Sequence, residues 1–347
     1  MHPIHVRDIA RKYPITRMFP EALVEKLMSR KAPEKVSDIT GIVSKTGAKT
    51  EGVFIGLPLT PVMMADRLPL EFVYERLAQC AEIAEQEGCK IIGLGAFTAV
   101  VGDGGVTLAN RTKIAVTTGN SYTVATAIEG ALLAAQRVGI CPKTAVLAVV
   151  GATGSIGKTC AIMLAPEFSR TILVGRDLAR TQAIAAMIPG SEATTDVGAL
   201  RDADVVVTVT SADTDVVFPE HLKCGSVVCD VSRPRDVSVK VVQDRPDVLV
   251  IEGGVVSVPG AVNFNFDFGF PPKCAYACMS ETMILALEDR PVNFTLGKDV
   301  SVAQVEEIGL LATKHGFHLA GFRSFEKAVG EDAIEQVRRA RVQPIRV

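Results

Sequence analysis

Short apolar runs alternate with helix-compatible segments through the middle of this chain. Ala145–Val150 is an unbroken apolar run of strand length, which is typical of a parallel strand covered on both faces. A helix is predicted at Thr181–Met187. Because strands and helices alternate, the pattern predicts an α/β fold with a Rossmann-type, doubly wound parallel sheet. The further strands of this sheet are predicted at Thr171–Val174, Asp204–Thr210, Ser226–Cys229 and Val248–Ile251.

The chain before residue 142 shows a second, smaller set of the same patterns. Two loops that carry glycine and threonine, Gly93–Asp103 and Val116–Thr123, are predicted to build a substrate cleft. Strands are predicted at Val36–Ser44, Thr50–Leu57 and Ile91–Leu94, and helices at Pro20–Ser29, Glu71–Gln86 and Val124–Arg137.

These patterns divide the chain into three segments. Residues 1–141 are predicted to form an N-terminal α/β substrate-binding domain, and residues 142–260 the Rossmann domain. Residues 261–347 are predicted to form a C-terminal helical segment that packs back on the rest. Its helices are expected at Lys273–Leu287, at Val302–His315 and after Phe325.

A glycine-rich loop follows the run Ala145–Val150 directly. Gly151, Gly154 and Gly157 have the spacing that lets backbone N–H groups and a helix N-terminus approach a pyrophosphate. Small and polar residues at later strand ends belong to the carboxyl edge of the sheet, where ligands of such folds bind. The predicted cofactor-binding residues are Gly151, Thr153, Gly154, Ser155, Ile156 and Gly157 in the loop, with Thr210 and Gly254 at strand ends.

The next predicted strand ends at Arg176, where NAD-binding proteins usually carry an acidic residue. A guanidinium at this position can pair with a 2′-phosphate, so the sequence predicts NADPH as the cofactor. Arg180, one helical turn further on, is in a position to assist. A solvated arginine at a helix start is the alternative interpretation.

Composition limits the classes of protein that fit. The 347 residues include 48% hydrophobic and 22% charged residues, and the net charge is −2, which gives no electrostatic footprint for nucleic acid. Apolar runs of membrane-spanning length, a signal-peptide core and a metal-ligand spacing are not found in the sequence. The eight cysteines are scattered, as in a reducing compartment. A cytoplasmic enzyme without a metal is expected, and a homo-oligomer is compatible with the sequence.

One cysteine, Cys278, lies early in the helix predicted after Pro271 and Pro272. A helix N-terminus lowers the pKa of a thiol, which favours a nucleophile. A cysteine on an apolar helix face is also a common core residue, and spacing alone leaves both interpretations open.

Several segments in order along the chain resemble the long-chain acyl-(acyl carrier protein) reductase family and its shikimate or amino-acid dehydrogenase-like relatives. They include VTTGNSYT, VVGATGSIG, IEGGVV, AYACMSETMILALE, NFTLG and KHGF. The resemblance implies NADPH-dependent reduction of a fatty acyl thioester to an aldehyde through a cysteine acyl-enzyme. It identifies Cys278 with the catalytic cysteine, Gly151–Gly157 with the cofactor loop and Arg176 with the 2′-phosphate ligand. An acyl carrier protein or coenzyme A would carry the substrate, and an aldehyde-consuming enzyme would take the product.

Three further residues complete the predicted catalytic set. Asn120 and Ser121 are candidate donors to the oxyanion, as are Thr118 and backbone N–H groups at the helix start. Glu281 is either part of a proton relay for Cys278 or a capping or solvated carboxylate. His315 fits a capping role at a helix end.

Two rival functions stay open from the sequence. A dehydrogenase of shikimate or amino-acid type would transfer hydride without a covalent intermediate, with Lys113 or Asp103 as its acid or base. A non-catalytic NADPH-binding regulatory protein could use the same fold.

Overall fold

The computed structural model describes residues 1–11, 13–212 and 214–342, which form two units. The first unit contains Met1–Gly119, Val258–Lys298 and Leu310–Phe317. The second contains Asn120–Ser257, Asp299–Gly309 and the described residues from His318 onward. The second unit therefore begins at Asn120 rather than after residue 141. The predicted C-terminal segment 261–347 is divided between the units, and its residues 343–347 lie outside the described part.

The α-helices and β-strands are numbered here in chain order. The helices are α1 (Glu21–Arg30), α2 (Leu70–Gln86), α3 (Val106–Ala109), α4 (Asn120–Arg137), α5 (Ser155–Leu164), α6 (Leu178–Ala185), α7 (Val239–Asp244), α8 (Ala277–Leu287), α9 (Val302–His315) and α10 (Glu331–Val342). The strands are β1 (Glu34–Val43), β2 (Lys49–Gly56), β3 (Ile91–Gly93), β4 (Ala115–Thr117), β5 (Val146–Val150), β6 (Arg170–Val174), β7 (Ser191–Thr194), β8 (Val205–Thr208), β9 (Val227–Asp230), β10 (Leu249–Glu252), β11 (Val255–Ser257), β12 (Gly260–Asn263), β13 (Cys274–Tyr276), β14 (His318–Leu319), β15 (Arg323–Ser324) and β16 (Lys327–Ala328).

The second unit is built on a parallel sheet with the strand order β10-β9-β8-β5-β6-β7. Counted along the chain from β5, this is the 3-2-1-4-5-6 order of a doubly wound fold read from the β7 edge. The predicted Rossmann-type sheet is confirmed. The carboxyl ends of its strands define the edge at which the predicted cofactor residues lie.

Strands β5, β6, β8, β9 and β10 of this sheet are buried on both faces, as their apolar runs predict, whereas the edge strand β7 is half-buried. Leu147 and Val149 of β5 belong to one hydrophobic core, and Ala148 and Val150 belong to another. Successive side chains of a strand point to opposite faces, so each strand supplies both cores in turn. The sheet is held from both sides, which gives the loops at its edge a rigid support.

Three local features differ from the prediction. The edge strand β7 was not predicted because its sequence, Ser191–Thr194, has no apolar run. Helix α4 begins at Asn120 rather than Val124, so part of the predicted loop 116–123 is helical. Helix α8 begins at Ala277 rather than Lys273, because the preceding residues Cys274–Tyr276 are extended as β13. This last difference places Cys278 in the first turn of its helix.

The first unit combines an antiparallel sheet of order β12-β1-β2 with the parallel pair β3 and β4. Its core includes Val73 and Leu77 from α2 and Val116 from β4. Because β3 and β4 are parallel, their carboxyl ends lie at the same edge. The loops that begin there are the ones that carry Gly95 and Gly119.

Candidate functional site

Two glycines shape the loop between β5 and α5 in the second unit. Gly151 has a φ of +85°, and a Cβ on it would lie 2.6 Å from the carbonyl oxygen of Val209. A Cβ on Gly157 would lie 2.3 Å from the carbonyl oxygen of Gly151. Both positions therefore require glycine, the first for its left-handed backbone and both for close packing.

Gly154, between them, is exposed and precedes the first residue of α5. A Cβ on Gly154 would lie 3.3 Å from the carbonyl oxygen of Gly151, a close contact that requires a shift of only a few tenths of an ångström. The following residues, Ser155 and Ile156, are half-buried at the helix start, and Thr153 is half-buried in the loop. The first N–H groups of a helix lack intrahelical acceptors and carry the positive end of its dipole. This loop therefore fits a pyrophosphate.

The three glycines lead to a paired prediction. Gly154→Ala should fold with nearly unchanged stability and lose dinucleotide affinity by at least about tenfold, because the added methyl group occupies the approach of the phosphate. Gly157→Ala should also lower the free energy of unfolding by about 1–3 kcal/mol, because the helix must move away from Gly151. Urea unfolding and cofactor titration of both variants measure this. Equal destabilisation of the two variants would contradict the assignment.

Arg176 follows Gly175 at the carboxyl end of β6, and its side chain is exposed. Among the described residues it has no ion pair or hydrogen-bond partner for its guanidinium. The neighbouring acid, Asp177, caps α6 by accepting a hydrogen bond from the N–H of Arg180, at 3.0 Å. The group presented to a nucleotide at this strand end is therefore a cation.

The other predicted cofactor residues lie at later strand ends of the same sheet. Thr210 is half-buried, and its N–H and hydroxyl both donate to the buried carboxylate of Asp236, the N–H over 2.8 Å. Its side chain is thus already engaged within the protein. Gly254 has a φ of +86° in the tight turn between β10 and β11, a backbone conformation that favours glycine.

Asp230, at the end of β9, predicts a pH dependence of stability. Burial, with Asp236 nearby, raises its pKa to about 7, and Arg233 opposes the shift. A carboxyl pKa above its unfolded value stabilises the fold at low pH, and this contribution is lost as the pH rises through about 7. Replacement by Asn should remove about 3–4 kcal/mol of this dependence. Relative to wild type, Asp230→Asn should gain stability in urea between pH 4 and pH 8, and an unchanged difference would contradict this assignment.

Cys278 is the second residue of α8 in the first unit and is half-buried. Two glycines at the ends of β3 and β4 pack against it. A Cβ on Gly95 would lie 3.3 Å from its Sγ, and a Cβ on Gly119 would lie 2.3 Å from its Cα. The cysteine therefore sits where the carboxyl edge of the β3–β4 pair meets the start of α8.

The loop after β3 and the first turn of α8 each present a backbone donor to this thiol. Hydrogen bonding from the backbone of Ala96 and Met279 lowers the pKa of Cys278. Ala96 has a left-handed φ of +48°, and the next N–H, that of Phe97, donates to Nε2 of His2 over 3.2 Å. Burial lowers the pKa of His2 to about 4, which keeps its ring neutral and able to accept this bond at ordinary pH.

The resting thiol is nevertheless a weak acid. Burial is the largest cause that raises the pKa of Cys278, to about 11, and the carboxyl group of Glu281 adds to the shift. The expectation that the helix start gives this thiol a low pKa is therefore wrong. Desolvation of the thiolate outweighs the backbone donors. A reactive Cys278 needs a group that takes its proton.

Glu281 is fully buried in the first unit. The hydroxyl of Thr117 donates to its Oε1, and the hydroxyl of Thr295 donates to the same oxygen over 2.9 Å. This excludes the solvated interpretation of Glu281. Residues three apart lie on the same side of a helix, so Glu281 is the carboxyl group that α8 itself places beside Cys278.

Asn120 and Ser121 are the first two residues of α4 in the second unit, and both are buried. The side-chain Nδ2 of Asn120 has no hydrogen-bond partner among the described residues, and neither has Oγ1 of Thr118. These residues flank Gly119 along the chain. Gly95, Thr117, Gly119 and Thr295 carry no individual signal in the sequence, although the last three fall in the VTTGNSYT and NFTLG segments.

The residues proposed for rival chemistry are engaged elsewhere. Lys113 is exposed and pairs with Glu85 at 3.5 Å. Asp103 accepts a hydrogen bond from the hydroxyl of Thr107, at 2.6 Å, before α3.

His315 is buried, with its Nδ1 2.8 Å from Ser44 Oγ. It holds the β1–β2 turn to the end of α9.

The described residues contain neither a metal-binding cluster nor a membrane-spanning helix. No three or more His, Cys, Asp or Glu side chains among them are grouped to hold a metal ion. In residues 1–11, 13–212 and 214–342, none of the helices combines the length and the apolar character needed to cross a bilayer.

Comparison with known proteins adds three kinds of similarity. The sequence model of the shikimate / quinate 5-dehydrogenase family matches residues 133–252. Aminotransferase PigE of Serratia sp. is 32% identical over 309 residues, which cover 86% of this chain and only 36% of PigE. The long-chain acyl-[acyl-carrier-protein] reductase of Synechococcus elongatus is 28% identical over 327 residues, which cover 90% of this chain and 94% of that protein.

Solved structures match at low overall similarity. Dipicolinate synthase of Bacillus halodurans matches with a TM-score of 0.33 and 20% identity, over 39% of this chain and 47% of that one. Glutamyl-tRNA reductase of Methanopyrus kandleri matches with a TM-score of 0.31 and 18% identity, over 71% of this chain and 54% of that one. By the strand order of its sheet and the family match at residues 133–252, the chain has the fold of an NAD(P)-dependent oxidoreductase.

Proposed function

We propose that this chain reduces a fatty acyl thioester to the aldehyde with NADPH, through an acyl-enzyme on Cys278. The observation that carries the proposal is the pairing of a cysteine at a helix start with a buried carboxyl group three residues later. A core cysteine needs neither the buried carboxyl nor the two glycines packed against its helix turn. The 28% identity to an acyl-[acyl-carrier-protein] reductase over almost the whole of both chains supports the same chemistry.

The first half of the reaction is acyl transfer to Cys278. Glu281 accepts the thiol proton as Sγ attacks the thioester carbonyl carbon, which forms a new carbon–sulfur bond. The carrier's sulfur leaves as the old carbon–sulfur bond breaks, and it takes up the proton from Glu281. Thr117 and Thr295 orient the carboxyl group for both transfers.

The developing oxyanion needs nearby donors. The backbone N–H of Ala96 is one, since it already interacts with the sulfur of Cys278. Asn120 and Ser121 remain the proposed side-chain donors. Of these, the buried Asn120 amide nitrogen is available because it has no partner among the described residues.

The second half requires a hydride donor, and the residues of the second unit fit NADPH. Gly151, Gly154 and Gly157 with the start of α5 would hold the pyrophosphate, and Arg176 would pair with the 2′-phosphate. Bound there, the cofactor supplies the hydride that reduces the acyl carbon. Collapse of the resulting hemithioacetal alkoxide breaks its carbon–sulfur bond, so that the aldehyde is released with Cys278 as a thiolate, and a proton from solvent restores the thiol.

The substrate carrier is acyl carrier protein or coenzyme A. The name of the reductase relative favours acyl carrier protein. The aldehyde is reactive and poorly soluble, so an aldehyde-consuming enzyme is the proposed partner for the product.

Intact mass spectrometry tests the covalent step directly. The full chain is incubated with palmitoyl-coenzyme A without NADPH, and the expected result is one acyl adduct that is labile to hydroxylamine. Addition of NADPH should convert the adduct to aldehyde. Cys278→Ala should give no adduct and no aldehyde, whereas the matched control Cys274→Ala, four residues earlier in β13, should retain both.

Other outcomes would overturn the proposal. If no adduct forms and Cys278→Ala reduces a keto or imino acid at the wild-type rate, the protein is a non-covalent dehydrogenase. The match of residues 133–252 to shikimate / quinate 5-dehydrogenases makes this the second candidate function. Tight NADPH binding without turnover of thioester, keto acid or imino acid would instead indicate a regulatory protein.

Arg176 predicts the choice of nucleotide. Arg176→Ala should raise the KM for NADPH about tenfold to a hundredfold, because a charge-assisted contact to the 2′-phosphate is lost. The KM for NADH should stay unchanged, which makes NADH the control. Arg180→Ala should give the smaller effect of the two. Equal changes for NADPH and NADH in Arg176→Ala would remove Arg176 from the 2′-phosphate site.

A further inference from the structure

The segment between residues 15 and 27 of the first unit exposes several large apolar side chains to solvent. Ile15, Met18, Phe19, Leu23 and Leu27 expose between 42% and 82% of their surface. We call these five residues the N-terminal apolar patch. They belong to the short 3-10 helix Pro14–Met18, the residue after it and α1. Single exposed apolar residues are ordinary, but a group of this kind marks an interaction surface.

Helix α1 already uses its other face. Val24 and Met28 are buried in the core of the first unit. Leu23 and Leu27 lie one turn apart on the neighbouring stripe and do not contribute to that core. The two leucines of the patch therefore do not stabilise the core of this unit.

The side chains around the patch carry an excess of positive charge. Glu21 pairs with Arg7 over 2.7 Å, and Glu25 pairs with Arg67. Arg17, Lys26 and Arg30 are exposed, and no ion pair joins them to another described residue. Lys26 and Arg30 flank the leucines on the side away from the buried face. The surface therefore offers apolar side chains with three unpaired cations beside them.

We propose that the N-terminal apolar patch binds the surface of an anionic lipid bilayer. Large apolar side chains with lysine and arginine at their border are what an interfacial helix presents to lipid headgroups and acyl chains. The long stems of these cations reach past the apolar groups to the phosphates. An acidic protein could attract the same cations and cover the same apolar side chains, and the test below distinguishes it from a bilayer. The proposal does not depend on the reaction assigned to Cys278.

Vesicle co-sedimentation with the full chain tests this proposal. The probe is extruded vesicles of phosphatidylglycerol and phosphatidylcholine in equal parts, with pure phosphatidylcholine vesicles as the neutral comparison. Wild type should sediment with the anionic vesicles and should dissociate as salt is raised. Replacement of Arg17, Lys26 and Arg30 by Gln should weaken binding about a hundredfold, since each cation near an anionic surface contributes about tenfold or less.

Apolar variants separate insertion from charge attraction. The double variant Met18→Ser with Leu27→Ser should lose binding by at least about tenfold at constant charge. The matched control is Leu310→Ser, since Leu310 is 73% exposed in α9 and lies outside the patch. Each variant should fold, because all the replaced side chains are exposed, and thermal unfolding checks this.

Four outcomes would overturn the proposal. They are wild type that does not sediment with anionic vesicles, equal binding to neutral vesicles, an equal loss of binding in Leu310→Ser, and capture by an acidic acyl carrier protein without vesicle binding. The last outcome would assign the patch to a protein partner.

Discussion

Replacing Gly119 with alanine is expected to eliminate the reactivity of Cys278. The added Cβ would lie 2.3 Å from Cα and 2.5 Å from Cβ of Cys278, and both atoms belong to the start of α8. Neither can move without displacing the helix turn or the end of β4. A displacement of about 1 Å at reacting atoms costs on the order of a hundredfold in rate. Acyl-adduct formation and NADPH oxidation should therefore fall by at least about a hundredfold.

Stability should fall in the same variant, in two separable parts. The φ of +74° at Gly119 costs a residue with a Cβ about 1–2 kcal/mol, and the clash adds about 1–3 kcal/mol. Gly47→Ala is the matched control. Gly47 has a φ of +88°, and no atom lies within 4 Å of its Cβ position, so only the conformational cost applies. Urea unfolding of both variants isolates the clash, and equal losses with full thiol reactivity in Gly119→Ala would contradict this geometry.

Replacing Glu281 with glutamine is expected to slow acylation of Cys278 by about 10²–10⁴-fold. Glutamine keeps the shape and can still accept the hydroxyls of Thr117 and Thr295, but it cannot take the thiol proton. The pKa of Cys278, raised to about 11 by burial, leaves few thiolates near neutral pH. The rate of adduct formation in Glu281→Gln should therefore rise about tenfold with each pH unit until the pH reaches this pKa.

If Glu281 only stabilises the fold, Glu281→Gln is expected to raise the rate of acylation of Cys278 rather than lower it. Its carboxyl group raises the pKa of Cys278, so a neutral glutamine alone would favour the thiolate and speed the reaction. Stopped-flow acylation from pH 6 to pH 10 distinguishes the two cases. Glu288→Gln is the control, because Glu288 lies just beyond the end of α8 and pairs with Lys314 instead. It should leave the acylation rate unchanged.

The predictions for Gly119→Ala and Glu281→Gln concern two different requirements of the same cysteine, Cys278. In the proposed mechanism, Gly119 holds the cysteine in place and Glu281 takes its proton. Gly119→Ala should lower adduct formation at every pH, whereas the loss in Glu281→Gln should shrink as the pH rises. The shape of the pH profile therefore separates positioning from proton transfer.

The nucleotide-binding half of this protein was predictable from sequence because its determinants are local. A strand buried on both faces must be apolar along its whole length, and Ala145–Val150 shows this without any partner in view. The loop after it needs glycine at Gly151 and Gly157 for backbone reasons, so the spacing itself carries the information. The edge strand Ser191–Thr194 was missed because a half-exposed strand does not need an apolar run.

The surroundings of Cys278 in the first unit depend on contacts between residues that are far apart in the chain. The sequence alone proposes Cys278 and Glu281 as catalytic residues, and it determines that they lie three residues apart on one predicted helix. It could not show that Thr117 and Thr295 bind Glu281, because those contacts span 164 and 14 residues. It also predicted the wrong direction for the thiol pKa. A helix start is visible in the sequence, but desolvation depends on everything that folds over the sulfur, and only the tertiary structure determines that.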